Sequence, residues 1–149
     1  MDDRSRLRVA RTTYGRRMHI EHTALIVDNY DVAIRFFVDA LGFDLIDDSP
    51  VTTNDGRSKR WVVVRPPAAQ TGLLLAKADG DEQVHAIGRQ YAGRVGLFLR
   101  VDDFEAARRR MLDHGVEFDT EPRDESYGRV AVFLDPSGNR WDLLGPPPA

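Results

Sequence analysis

The sequence predicts an α+β fold made of two βαβββ modules, and an internal repeat is the main observation behind this prediction. The segment HTALIVDNYDVAIRFF (22–37) aligns without gaps with GLFLRVDDFEAARRRM (96–111). In each copy, apolar and polar residues first alternate, as is typical of a strand, and apolar residues then recur with the spacing of a helix. Further along, RWVVVRPPAAQTGLLL (60–75) aligns with RVAVFLDPSGNRWDLL (129–144), and each copy reads as a strand, a proline-containing turn and another strand. Each half therefore has the order strand, helix, strand, strand, strand.

Length and composition indicate an ordinary soluble domain. The chain has 149 residues, of which 42% are hydrophobic and 30% are charged. No apolar stretch approaches the roughly 20 residues that span a bilayer, so no membrane partner is expected. The sequence contains no cysteine, which excludes disulfides, thiolate nucleophiles and Fe–S clusters. Because the start also lacks the apolar segment of a signal peptide, we predict a cytoplasmic location.

Charge is distributed unevenly along the chain. Residues 1–17 hold six Arg and two Asp, a net charge of +4. The overall net charge is −3, so the remainder of the chain carries a net charge of −7. We predict that 1–17 is a disordered basic extension and that 18–145 is a single domain. Within it, module one covers 19–76, a linker with one short helix covers 77–93, and module two covers 94–145. No basic face follows in the body of the chain, so nucleic acid is not an expected partner.

Each module contains one amphipathic helix that would pack on its sheet. The apolar positions with helical spacing are Ala33, Phe36, Phe37, Ala40 and Leu41 in the first copy, and Phe104, Ala107, Met111 and Leu112 in the second. Asp28 and Asp102 are the predicted N-caps, and Asp102 would form a capping box with Glu105. Gly42 and Gly115 are the predicted ends of the two helices.

Four segments carry a resemblance to a known family: HTALIVDN, FLRVDDFEAARRRM, GVEF and FLDPSGNRWDLL. Together with the duplicated module, they resemble the vicinal oxygen chelate superfamily, in particular its small glyoxalase/bleomycin-resistance type. The resemblance covers residues 18–145 and implies an incomplete barrel around one cavity. It also implies one divalent metal (Zn, Ni, Fe or Mn), held by the first and last strands of each module and acting as a Lewis acid on a bound substrate.

The ligand positions that the resemblance implies are only half filled. On the first strand of module one the position falls on His22, and on the last strand of module two it falls on Asp142, where the family usually has Glu. On the first strand of module two it falls on Gly96, which has no side chain. On the last strand of module one it falls on Leu73, or on Gly72 if the register shifts by one.

Strand alternation predicts that His22 and Asp142 face the same cavity. His22 shares a face with Ala24 and Ile26, and Asp142 shares a face with Leu144. The pair could be metal ligands, an acid–base pair without a metal, or two groups that orient a polar ligand. Alternatively, the two side chains could simply hydrogen-bond to each other in a buried environment.

Four further side chains are candidates for ligand binding. Trp61 and Tyr127 could form aromatic walls for a flat apolar ligand. Phe98 and Arg100 share a strand face with Gly96, so Arg100 could hold an anion at the mouth of the cavity. The alternatives are core or edge packing for the aromatic residues and a solvated strand end for Arg100.

The sequence is compatible with two functions. One is an enzyme of the glyoxalase, isomerase or dioxygenase type that acts on a small oxygenated metabolite. The other is a binding protein like the bleomycin-resistance members, which hold a small-molecule ligand between subunits and need no metal. The two empty ligand positions favour the binding protein or an atypical enzyme. A half-open barrel leaves sheet edges and an apolar rim exposed, so a homodimer is predicted, formed either side by side or by exchange of modules.

Overall fold

A computed structural model of the chain describes residues 17–148. Apart from Arg17, the predicted basic extension lies outside the described residues. In the described part, no helix is long and apolar enough to cross a membrane.

The chain folds as two modules with the same order of elements. The first comprises β1 (His22–Val27), α1 (Tyr30–Arg35) with a π-helical turn that continues it (Phe36–Ala40), β2 (Asp44–Thr52), β3 (Ser58–Arg65) and β4 (Gly72–Lys77). The linker contains α2 (Asp81–Ala86). The second module comprises β5 (Val95–Arg100), α3 (Phe104–Asp113), β6 (Arg123–Glu125), β7 (Gly128–Leu134) and β8 (Arg140–Gly145). The predicted βαβββ repeat is confirmed.

Each module forms its own four-stranded mixed sheet. The strand order is β1-β4-β3-β2 in sheet one and β5-β8-β7-β6 in sheet two. In both sheets the first strand of the module runs parallel to the last, and the other pairs are antiparallel. Over the described residues, no strand of one sheet pairs with a strand of the other, so the chain does not close into a barrel.

The helices begin one residue later than predicted. The Asn29 side chain accepts a hydrogen bond from the backbone N–H of Val32 at 3.0 Å, and the Asp103 side chain accepts one from Ala106 at 3.0 Å. The predicted caps Asp28 and Asp102 are therefore wrong, because the side chain that reaches the third backbone N–H of each helix is that of the next residue. The predicted ends are confirmed, since Gly42 and Gly115 both adopt φ of +76° after the last turn.

The helix-facing sides of both sheets meet in one hydrophobic core. Phe37, in the π-helical turn, has its ring centroid 5.5 Å from that of Phe43 and 5.7 Å from that of Trp141 on β8. Phe133 on β7 stacks on Trp141 at 5.6 Å. Such aromatic pairs contribute about 0.5–1.5 kcal/mol each beyond the area that they bury. The first module's helix therefore covers part of the second module's sheet.

Two polar contacts fasten the modules and the linker to each other. Arg110 on α3 donates from Nε to the carbonyl of Asp39 at 2.9 Å, at the end of the π-helical turn of module one. In the linker, the Gln90 amide accepts from the backbone N–H of Ile26 at 2.6 Å and donates to the carbonyl of Ala24 at 3.2 Å. Because β1 is an edge strand, this amide occupies backbone groups that a neighbouring strand would otherwise use.

Candidate functional site

The face of each sheet that points away from the core carries the candidate residues, and we call these the two open faces. On β1, Leu25 and Val27 are buried in the core, so His22 lies on the open face of sheet one. On β8, Trp141 and Leu143 are buried in the core, so Asp142 lies on the open face of sheet two. This is the orientation that strand alternation predicts for both side chains.

His22 has a buried ring nitrogen without a hydrogen-bond partner. This atom, Nδ1, faces Gly72, which lies directly opposite His22 on the parallel strand β4. A Cβ atom built at Gly72 would lie 3.5 Å from Nδ1, so the glycine leaves space beside the ring. Trp61 approaches the imidazole edge-on, with ring centroids 6.2 Å apart at 67°. The imidazole is thus positioned by an aromatic neighbour while its nitrogen stays free.

Asp142 also has a buried atom without a partner. Its Oδ1 makes no hydrogen bond, and the residues opposite it are Phe98 on β5 and Val132 on β7. Burial raises the pKa of the carboxyl above its ordinary value, although the charges of Arg123 and Arg140 act in the opposite direction. An unsatisfied buried oxygen costs about 1–3 kcal/mol, which a ligand hydroxyl or amide could recover.

Within the described residues, no hydrogen bond joins His22 on sheet one to Asp142 on sheet two. The alternative in which they satisfy each other within one chain is therefore wrong. Each remains available to another group.

The other candidate residues divide between the two open faces. Trp61 lies on sheet one and is 41% exposed, whereas Phe98 lies on sheet two and is 63% exposed. Arg100 follows Phe98 along β5 and is exposed. Tyr127 is 54% exposed in the β6–β7 hairpin. Each open face therefore carries one large exposed aromatic side chain, Trp61 on sheet one and Phe98 on sheet two.

Arg123 is a candidate that the sequence reasoning missed. It lies on β6 opposite Val130, and its charge acts on Asp142. The alternation of residues in RDESYG (123–128) could have placed it on the open face. A strand of only three residues gives too short a pattern for that inference.

The surface clefts on the helix side do not involve these residues. One cleft of about 520 Å³ lies between α1 and the segment after α3, and Arg35, His114 and Glu117 are among the residues that line it. The candidate site is therefore the pair of open faces and not this cleft.

The residues present do not fit the metal site that the resemblance implied. His22 and Asp142 are suitable donors, but Gly96 offers none. Leu73 is 8% exposed and packs in the core, so the prediction that placed the fourth ligand position there is wrong: alternation turns this side chain towards the helices. The alternative, Gly72, has no side chain. In the described part of the chain, no group of three His, Cys, Asp or Glu side chains is arranged to hold a metal, whereas open zinc sites usually have three protein ligands.

Comparison with known families agrees with this fold. The Glyoxalase/Bleomycin resistance protein/Dioxygenase superfamily matches residues 19–143. Since the match covers most of the chain, the protein belongs to this superfamily.

Three similar proteins illustrate its range. An uncharacterized protein of Shewanella frigidimarina is 49% identical over 129 residues, which are 86% of this chain and 93% of that protein. The crystal structure of TnmS3, an antibiotic binding protein from Streptomyces sp. CB03234, superimposes with a TM-score of 0.68 at 33% identity, and covers 87% of this chain and 96% of that one. The 3-methylcatechol 2,3-dioxygenase of Pseudomonas putida is 30% identical over 104 residues, which are 65% of this chain and 36% of the enzyme.

Proposed function

We propose that this protein binds a small oxygenated or aromatic molecule between its open faces and needs no tightly held metal to do so. The observation that carries the proposal is the pair of buried polar atoms without partners, Nδ1 of His22 and Oδ1 of Asp142, among exposed aromatic side chains. Unsatisfied buried polar groups are rare in folded proteins and require an explanation, for which a bound ligand is sufficient. The similarity to an antibiotic binding protein supports a binding role.

His22 and Asp142 would recognise complementary polar groups of the ligand. The ionised carboxyl accepts from a ligand hydroxyl or amide, and a protonated carboxyl donates to a ligand carbonyl. The imidazole nitrogen donates or accepts according to its tautomer. Both therefore suit a ligand that carries several oxygen atoms.

The aromatic and cationic side chains would recognise the rest of the ligand. Trp61, Phe98 and Tyr127 offer ring faces or edges to a flat apolar part. Arg100 forms no ion pair with any described residue, so it can pair with an anionic substituent at the rim of the site.

A twofold homodimer would bring the two open faces together. Within one chain the faces belong to separate sheets with a common core between them, so each needs a cover. Two copies can cover both faces by placing sheet one of one copy over sheet two of the other. Side-by-side pairing and exchange of modules both satisfy this arrangement.

A cytoplasmic location stays a prediction.

A titration of metal-free protein tests the binding role. After removal of metals with EDTA, calorimetry with bleomycin and with 3-methylcatechol as probes should detect binding of at least one of them. Replacement of His22 or Asp142 by alanine should weaken that binding about tenfold, the effect of one hydrogen bond to a charged or buried group. His19→Ala and Asp113→Asn, at exposed positions outside the open faces, are the matched controls. Binding that EDTA abolishes, or no binding of either probe, would contradict the proposal.

A metal-dependent lyase, isomerase or dioxygenase is the second candidate. The similarity to 3-methylcatechol 2,3-dioxygenase favours it, although this chain corresponds to about a third of that enzyme. The discriminating measurement is the metal content of protein purified without chelator, together with activity on the methylglyoxal–glutathione adduct. One tightly held metal per chain would exclude the metal-free candidate, and activity that depends on this metal would establish the enzyme.

A further inference from the structure

Strand β5 contains an extra residue where the third metal ligand was expected. In its pairing with β8, Val95 lies opposite Arg140 and Leu97 lies opposite Trp141, so Gly96 has no partner in the ladder. A bulge of this kind bends the strand and changes the direction in which its side chains point. Gly96 is thus set apart from the regular alternation that places Phe98 on the open face.

The ring of Tyr91 fills the space beside Gly96. A Cβ atom built at position 96 would overlap with the Cγ and both Cδ atoms of Tyr91. Cγ is the ring atom bonded to the Cβ of Tyr91 itself, so rotation of the ring about that bond cannot remove the overlap. No side chain fits at position 96 while Tyr91 keeps its place.

The segment that carries Tyr91 is fixed on both sides. The side chain of Gln90 bonds to the edge of β1, and the Tyr91 carbonyl accepts from the backbone N–H of Arg94 at 3.0 Å. The Tyr91 side chain is partly buried and packs against the core. Withdrawal of the ring would therefore require rotation of the side chain about its Cα–Cβ bond and the loss of its packing against the core.

We propose that Tyr91 and Gly96 form one packing unit that excludes any side chain, and therefore any metal ligand, at position 96. Position 96 then lacks a donor for two reasons: glycine has no side chain, and the Tyr91 ring fills the space that a side chain would need. A single substitution cannot restore the donor, because the space that it needs belongs to the linker.

Thermal unfolding of a double-mutant cycle tests the packing unit. Gly96→Ala should lower the melting temperature by about 5 °C or more in the natural background, the usual effect of overpacking in a chain of this size. Tyr91→Phe keeps the ring and should leave that penalty unchanged, whereas Tyr91→Ala should reduce it to less than half. If Gly96→Ala alone does not fold, recovery of a folded protein in the Tyr91→Ala background supports the same conclusion. An equal penalty in both backgrounds, or none in either, would overturn the proposal.

Nickel binding gives a second readout that does not depend on the cycle. Gly96→His in the full chain should bind Ni²⁺ within about threefold of the natural protein, because the imidazole cannot enter the site. Phe98→His, two residues along the same strand at an open position, controls for an imidazole on β5 and should fold normally. A Gly96→His protein that keeps its melting temperature and binds Ni²⁺ about tenfold more tightly would show that position 96 is open, and the proposal would be wrong.

Discussion

Replacement of Asp142 by asparagine should make the folded protein more stable at neutral pH. The carboxyl is partly withdrawn from water between Phe98 and Val132, and its Oδ1 is buried without a partner. Burial raises its pKa, whereas the positive charges of Arg123 and Arg140 only partly oppose that effect. Ionisation of Asp142 therefore costs folding free energy, and a neutral amide of the same shape avoids that cost.

The pH dependence follows from the direction of the shift. The folded pKa of Asp142 lies above the ordinary value of 3.8 that applies to the unfolded chain. The cost is then fully present above the folded pKa, decreases as the pH falls through it, and vanishes below the unfolded value. The advantage of Asp142→Asn should therefore be largest at neutral pH and disappear in acid.

The size of the stability gain from Asp142→Asn depends on the partial burial of the side chain. Solvent reaches part of the carboxyl, so the gain should be about 1 kcal/mol, near the lower end for an unsatisfied buried group. For a chain of this length, that gain raises the melting temperature by about 2–4 °C.

Calorimetric unfolding between about pH 4 and pH 8 measures this difference. Asp113→Asn, at an exposed position on α3, is the control and should change stability by less than about 0.5 kcal/mol. A less stable Asp142→Asn protein would refute the reasoning, and so would a gain of equal size at both ends of the pH range. If the same variant also loses affinity for the ligand, Asp142 lowers stability in exchange for binding, which is typical of functional sites.

Two further substitutions test how the modules and the linker are joined. Arg110→Ala should lower the free energy of unfolding by about 1–2 kcal/mol, because it removes the charged donor to the Asp39 carbonyl at the end of a helix. Arg109→Ala on the same helix is the control, and an equal loss of stability in both variants would contradict this role. Gln90→Ala should cost about 1 kcal/mol in urea unfolding by leaving the β1 edge unpaired, whereas the exposed Gln70→Ala should cost nothing measurable.

The repeat was sufficient to predict the architecture. Alternation of period two placed Leu25 and Trp141 on the core side, and the apolar spacing around Phe37 placed the first helix on a sheet. These patterns recur in both halves of the chain, so each half supports the interpretation of the other. The strand order in the two sheets is accordingly the same.

The wrong predictions for the helix caps and for one ligand position are shifts by a single residue. The helix caps lie at Asn29 and Asp103, one position after those predicted, because neighbouring acidic and amide residues are almost equivalent as caps. The fourth ligand position was aligned with Leu73 or, with a shift of one residue, with Gly72. Leu73 lies in the core, and a shift of one residue reverses the face of every side chain in a strand. Alignment of short strands across a repeat does not resolve such shifts.

The relation between distant residues could not be read from the sequence at all. Tyr91 belongs to the linker, and its overlap with position 96 depends on the bulge in β5 and on the bonds of Gln90 to β1. No local pattern encodes either feature. The same holds for His22 and Asp142: each is positioned by its own sheet, and in the proposed dimer the contact between the sheets of two chains would bring them together.

A mixing experiment tests whether one site takes His22 from one chain and Asp142 from its partner. His22→Ala and Asp142→Ala proteins should each bind the probe weakly when studied alone. If subunits exchange freely after mixing, half of the dimers are mixed, and each mixed dimer has one site with both natural residues. About a quarter of all sites should then regain full affinity, measured as stoichiometry in a calorimetric titration. If both residues of a site come from the same chain, no mixture contains an intact site. Sedimentation of the natural protein and of the mixture shows whether dimers form and exchange. A monomer near 16.8 kDa, or exchange without recovered sites, would contradict the shared site.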